Sequence, residues 1–199
     1  LPRGHRVEWS ATASGAAGQV TSNTATFRTV SVSCLSGADA YAKSVVDVYL
    51  SECSLSHNLY NDPSEALGPP DAGGSAPDRF FGFISLGEKG YVSVDLEGCA
   101  VDEPGPDVRV FQTVSREAVT LYAAGSPTGP FELLEAQKPC GTPLPGVFSR
   151  YCDFDLAVAE VSEARYFRIE DGEHFPCALG TTVTEGADID AIEILHLKP

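Results

Sequence analysis

Four short segments set acidic residues beside turn formers: NDPSEALGPPD over 61–71, DEPGPDVRVF over 102–111, ARYFRIED over 164–171 and GADIDAIE over 186–193. In the last, Asp188 and Asp190 open an apolar run two positions apart, and residues i and i+2 of a strand point the same way. Two carboxylates on one face repel, and burying them is costly unless water, an arginine or a metal stands between them. The glycines and prolines fix tight turns, which aim backbone carbonyls outward beside the carboxylates. Such a mixture of oxygens suits a hard cation, since Ca2+ takes roughly six to eight of them. Asp107, Asp188 and Asp190, with Asp71 or Asn61, supply several ligands if their loops converge. The alternative is that Arg109 or Arg168 pairs with the acids. The DxDxDG pattern of an EF-hand is absent.

The elements that must position these residues read as strands. Phe27–Cys34 alternates, and Val45–Leu50 is β-branched and aromatic. Phe80–Leu86, Tyr91–Leu96, Val108–Val114, Val119–Ala123, Phe131–Leu134, Val147–Leu156, Tyr166–Ile169 and Ala191–Leu197 follow. Each is of strand length and bounded by Gly, Pro, Asp or Ser. Leu156–Glu163 reads either as one short helix or as a strand end with a turn. With no crossover helices, a parallel α/β fold is excluded, and about ten short strands predict an all-β antiparallel sandwich or barrel. The Pro/Gly-rich segments 61–78 and 139–146 are the longest loops. Residues 10–26, rich in Ser, Thr, Ala and Gly, read as a flexible lead-in or a weakly specified edge strand. The expected division is therefore a lead-in over 1–37 and a β-sandwich domain over 38–199.

Composition narrows the function classes. Acidic residues outnumber basic ones 28 to 13, for a formal charge of −15. That argues against nucleic acid and anionic membranes as partners and favours cations. No apolar run approaches the length of a membrane span. The six cysteines, Cys34, Cys53, Cys99, Cys140, Cys152 and Cys177, form no CxxC pair. Their wide spacing indicates disulfides in an oxidising, extracellular or periplasmic setting. The expected pairing is Cys34–Cys53, Cys99–Cys177 and Cys140–Cys152, the first and last each closing a local hairpin or loop. The sequence holds no methionine and no signal-peptide pattern, so the expectation is a mature or trimmed product.

Taken in order, ALGPPD, ISLGEKGYVSVDL, GPDVRVFQ, ARYFRI and DIDAIEIL resemble the recurring motifs of a family of bacterial secreted and cell-surface domains with a galactose-binding-like jelly-roll fold. The resemblance covers about Ala38 to Leu197. It implies a jelly-roll sandwich, a structural calcium ion near the strand ends, and loops that bind carbohydrate or a surface protein. Asp71, Asp107, Asp188 and Asp190 match the acidic positions of those motifs, and Glu193 is a further candidate ligand. Two departures stand out. The strand motif ends in Gln112 where the family has glutamate, and the six cysteines lie outside the pattern.

Catalysis finds less support. There is no GxSxG elbow and no HExxH, and His5, His57, His174 and His196 are scattered. The pairs Asp153/Asp155 and Glu170/Asp171 satisfy the letter of a glycosidase pair, which arises easily by chance in so acidic a chain. Sugars stack on aromatic rings while polar groups fix their hydroxyls. Tyr60, Tyr151, His174 and Phe175 are the loop candidates for such a site. The expectation is a non-catalytic secreted or cell-surface binding module that takes carbohydrate. A protein-adhesion module and an acidic-pair hydrolase or lyase are the alternatives.

Overall fold

Alternating apolar positions need a second layer to cover them, and the chain supplies it by folding into two sheets. The computed structural model describes residues 6–9, 12–15, 18–21, 25–28, 32–51, 60–73, 81–113, 117–143, 149–172 and 186–199. It divides into two units, Leu1–Ser31 and Val32–Pro199. In the first, β1 (Arg6–Trp9) pairs antiparallel with β4 (Ala25–Arg28), and β2 (Thr12–Gly15) pairs with β3 (Gly18–Thr21). The lead-in thus has strand pairing of its own, where a flexible segment or single edge strand was expected.

The second unit is an antiparallel jelly-roll sandwich. One sheet runs in the order β10 (Glu132–Pro139), β9 (Ala118–Ala124), β13 (Glu163–Asp171), β7 (Tyr91–Val101) and β5 (Ser44–Tyr49). The other runs β11 (Thr142–Pro143), β12 (Arg150–Phe154), β8 (Val108–Gln112), β14 (Asp188–Ile194) and β6 (Ile84–Ser85). The chain changes sheet at nearly every connection. Val92, Val94, Leu96, Leu121, Phe167 and Ile169 of the first sheet share one core with Val108, Val110, Ile189, Ile192 and Ile194 of the second.

Both sides of the sandwich are closed. On one, residues 40–42 run beside β14, through the Tyr41–Glu193 bridge and an Ile194 N–H to Ala40 carbonyl bond of 2.7 Å. The next residue enters the first sheet, with Lys43 N–H donating to the Asp95 carbonyl at 2.9 Å. On the other, the Cys140–Cys152 disulfide ties the end of β10 to β12, as the spacing predicted. Cys34 is bonded to Cys99, not to Cys53, and Cys99 therefore not to Cys177. The reason is the path of residues 32–36, which lie along the end of β7, where Leu35 N–H donates to the Glu97 carbonyl at 2.8 Å. This contact lies within the second compact unit, Val32–Pro199. Cys53 and Cys177 lie outside the described residues.

Two segments are shorter than their apolar patterns. Within Phe80–Leu86, Gly82 takes a φ of +75°, which breaks the extended run and leaves Ile84–Ser85 as the strand. Leu156–Glu163 becomes a single 3-10 turn over Leu156–Ala159, capped by Asp155 and stopped by Glu160 in the left-handed region.

Candidate functional site

The strands decide which acids can meet. β8 and β14 are antiparallel neighbours, with Val108 opposite Ile194 and Gln112 opposite Ile189. Asp107 precedes β8, whereas Asp188 and Asp190 open β14. They therefore stand at opposite ends of the pair, Asp190 about 15 Å and Asp188 about 20 Å from Asp107 along the strands at a rise of ~3.3 Å per residue. The five expected calcium ligands do not converge. Asp71 stays with Asp190, Asp107 is at the other end, and Glu193 faces outward midway.

Asp190 is 1% exposed and lies at a bulge, where β14 takes two steps, from Ile189 to Ala191, against one step of β8. The extra residue changes the phase of the strand, so that Ala187 and Ile189 reach the core before it and Ile192 and Ile194 after it. Its Oδ1 accepts the backbone N–H of Asp71 at 3.0 Å and of Ala72 at 3.2 Å, and its Oδ2 accepts the Ser149 hydroxyl. Burial pushes the Asp190 carboxyl above the ordinary aspartate range, and the neighbouring Asp71 charge adds to this. The three donors pull the other way. Protein donors thus occupy Asp190, and through them it pins the 69–73 loop to the sheet. Asp188 accepts a long hydrogen bond of 3.4 Å from the Thr113 hydroxyl. Gln112 is wholly buried and donates its amide to the Glu117 carbonyl at 2.7 Å. A donor therefore stands where the resembled motif has an acceptor acid.

At the opposite end, Asp107 is also wholly buried. It accepts from Glu103 N–H at 3.0 Å and Leu156 N–H at 2.9 Å, and faces His196 Nδ1 at 2.9 Å. It thereby ties the turn before β8 to the turn after β12 and to the end of β14. Asp102 and Asp155 bring carboxylate oxygens within 4.8 Å of Asp107 and of each other. Glu193 sits apart from both ends, accepting from the Tyr41 hydroxyl at 3.2 Å beside Arg109.

Of the expected ligand-binding aromatics, His174 and Phe175 lie outside the described residues. Tyr60 stacks on Phe83 at 4.6 Å between ring centroids. The Arg109 guanidinium lies 3.9 Å over the Tyr151 ring and grips Asp153 through two bonds of 2.6 and 3.0 Å. A ring face of each tyrosine is already in use by the protein. In the candidate acid pairs, Asp153 is held by Arg109, Asp155 caps a turn, Asp171 is buried, and Glu170 points to the outer face of the first sheet.

That outer face sets Arg168 and Glu170 among groups that sequence reasoning missed, Asp47, Tyr49, Tyr91 and Tyr122. Asp47, Ser93, Arg168 and Tyr122 are register partners across β5, β7, β13 and β9, and Tyr49, Tyr91, Glu170 and Thr120 form the next row. The Arg168 guanidinium sits 4.3 Å from the Tyr91 ring centroid and 4.5 Å from that of Phe131. Its Nε donates to Ser93 Oγ at 2.9 Å, and its far nitrogen approaches Asp47 at 3.5 Å. The Tyr91 hydroxyl donates to Asp47 at 2.9 Å, which raises its pKa. Tyr122 is raised too, by burial first and by Glu170 beside it second. Tyr49 lies 6.1 Å from Tyr91 between ring centroids and is 54% exposed. One sequence signal could have found this face: aromatic and charged residues alternate with the core residues along β5, β7 and β13.

Fold and site together define a class, a disulfide-braced antiparallel β-sandwich with buried, hydrogen-bonded aspartates at both ends and an aromatic, charged outer face. No family model, curated protein or solved structure matches the chain.

Proposed function

We propose that the chain is a non-catalytic, extracellular binding module that takes carbohydrate on the outer face of the β10-β9-β13-β7-β5 sheet. One observation carries this reading: the exposed Tyr49 ring continues into Tyr91 and the seated Arg168, with Asp47 and Glu170 at hand. A flat apolar surface bordered by hydrogen-bonding groups suits a pyranose, whose C–H patch stacks while its hydroxyls are fixed. Disulfides among the described residues support an oxidising compartment. No helix among those residues is long and apolar enough to cross a membrane. Affinity electrophoresis in gels containing polysaccharides tests the reading, with wild type retarded and Tyr49→Ala running free. Capture of a protein partner with no response to any glycan would move the function to adhesion.

In this proposal the calcium ion moves to the cluster of Asp102, Asp107 and Asp155. Asp102 and Asp155 offer hard oxygens near the surface, while Asp107 is largely engaged by its own donors, so the protein would supply two or three of the ion's oxygens and water the rest. Binding there would stabilise the fold by about 2–3 kcal/mol at a hundredfold excess over Kd. Melting in excess Ca2+ against chelator measures this, and the shift should vanish in Asp102→Asn.

A further inference from the structure

Resting on that reading of the outer sheet face, we infer that its ligand is a neutral glycan, bearing neither carboxylate, sulfate nor amine. Around the Tyr49 and Tyr91 rings the face carries two carboxylates, Asp47 and Glu170, against one guanidinium, and that guanidinium is held in place by its neighbours. Arg168 is seated between the Tyr91 and Phe131 rings, donates to Ser93 and faces Asp47. An acidic glycan would need a bidentate fork that is free to turn toward it. Other cations around this sheet are paired as well, Arg165 to Asp95 through two bonds of 2.6 and 2.7 Å, Lys43 to Asp39 and Lys89 to Glu88. Over longer range, the formal charge of −15 repels polyanions.

An amine-bearing glycan fares no better at close quarters. Asp47 already has Arg168 beside it and accepts the Tyr91 hydroxyl, so it presents hydroxyl-accepting capacity rather than a bare charge. What the face does offer is ring surface and acceptors. Tyr49 is more than half exposed, and the Asp47 and Glu170 carboxylates border the Tyr91 ring beside it. Sugar hydroxyls are donors and pyranose C–H faces are apolar, so a neutral pyranose chain matches both.

The test uses the whole chain and three probes: a neutral β-glucan, polygalacturonate and chitosan. Isothermal titration at low and high salt is expected to show Tyr49-dependent binding for the glucan alone, with a Kd unchanged by salt, because screening acts on charge and not on stacking; any attraction of chitosan to the acidic chain should be indifferent to Tyr49→Ala and vanish at high salt. Tyr49→Ala should weaken it about tenfold. Asp47→Asn, which keeps the shape, should weaken it severalfold. Both positions are exposed, and unchanged melting curves confirm that the variants fold. Tyr49-dependent binding to polygalacturonate or chitosan, falling steeply with salt, would overturn the neutral-ligand inference and leave the sheet-face site standing. Glucan binding indifferent to Tyr49→Ala, or no binding to any probe, would overturn the site and the inference together.

Discussion

Replacing Asp190 separates two accounts of a buried carboxylate. In the structure it serves protein donors, namely the Asp71 and Ala72 amides and the Ser149 hydroxyl. Asp190→Ala strips all three of their acceptor, and both Ala72 and Ser149 are buried. Each buried orphan costs about 1–3 kcal/mol, so the variant should lose about 3–5 kcal/mol. At ~2–4 °C per kcal/mol for a domain of this size, its midpoint should fall by roughly 10 °C. Asp190→Asn keeps an acceptor for the amides but cannot ionise. The folded pKa of Asp190 lies above its unfolded value because burial disfavours the charge. The group's stabilising contribution is therefore complete below the unfolded pKa and is lost as pH rises through the folded one. Relative to Asp190→Asn, wild type should thus gain stability as pH falls from neutral into the carboxylate range. Urea unfolding of the two chains across that range, in chelator, measures the difference directly. A carboxylate held by a cation or an arginine would have a depressed pKa and the opposite slope. Wild type losing ground to Asp190→Asn on acidification would refute the claim that burial outweighs the three donors, and an Asp190→Ala chain within about 1 kcal/mol of wild type would refute the hydrogen-bonded account.

Other expectations follow from single contacts. Cys140→Ser with Cys152→Ser opens a staple spanning 12 residues and should cost about 3 kcal/mol, read by melting under non-reducing conditions. Gly90→Ala would put a methyl 2.0 Å from the Leu86 carbonyl oxygen, so expression or stability should fall sharply, by ~3 kcal/mol or more. Gly141→Ala, whose added carbon meets nothing within 4 Å, is the control and should melt with wild type.

The strands were legible because their signals are local. Val108–Val114 and Ala191–Leu197 alternate or run apolar between turn formers, and they emerge as β8 and β14 within a few residues. The same locality explains the errors. Gly82 and Glu160 end their elements by taking positive φ, and Glu160 gives no warning in its residue type. The Cys34–Cys99 bond spans 65 positions, and its closeness is set by how residues 32–36 lie on β7, which periodicity does not record. The outer-face aromatics were hidden for a related reason. Tyr49 and Tyr91 are far apart in sequence and look like core residues, and the register of β5 with β7 sets them side by side on the outside.

The scattering of the expected ion ligands shows what a list of motifs lacks. Turns with acids precede both β8 and β14, and that similarity invited the idea of one shared site. Yet if two strands are antiparallel neighbours, the turn before one lies at the far end from the turn before the other. Asp107 and Asp190 could have shared a cation only if β8 and β14 were parallel or lay apart in the sheets. Once the strands pair, each buried aspartate must find its donors locally, and each does so in a different currency. Asp190 draws on the loop holding Asp71 and Ala72 and on a serine, while Asp107 draws on two turns and a histidine. Asp107 and Asp190 are thereby accounted for as clamps that fix loops at opposite ends of the β8–β14 pair.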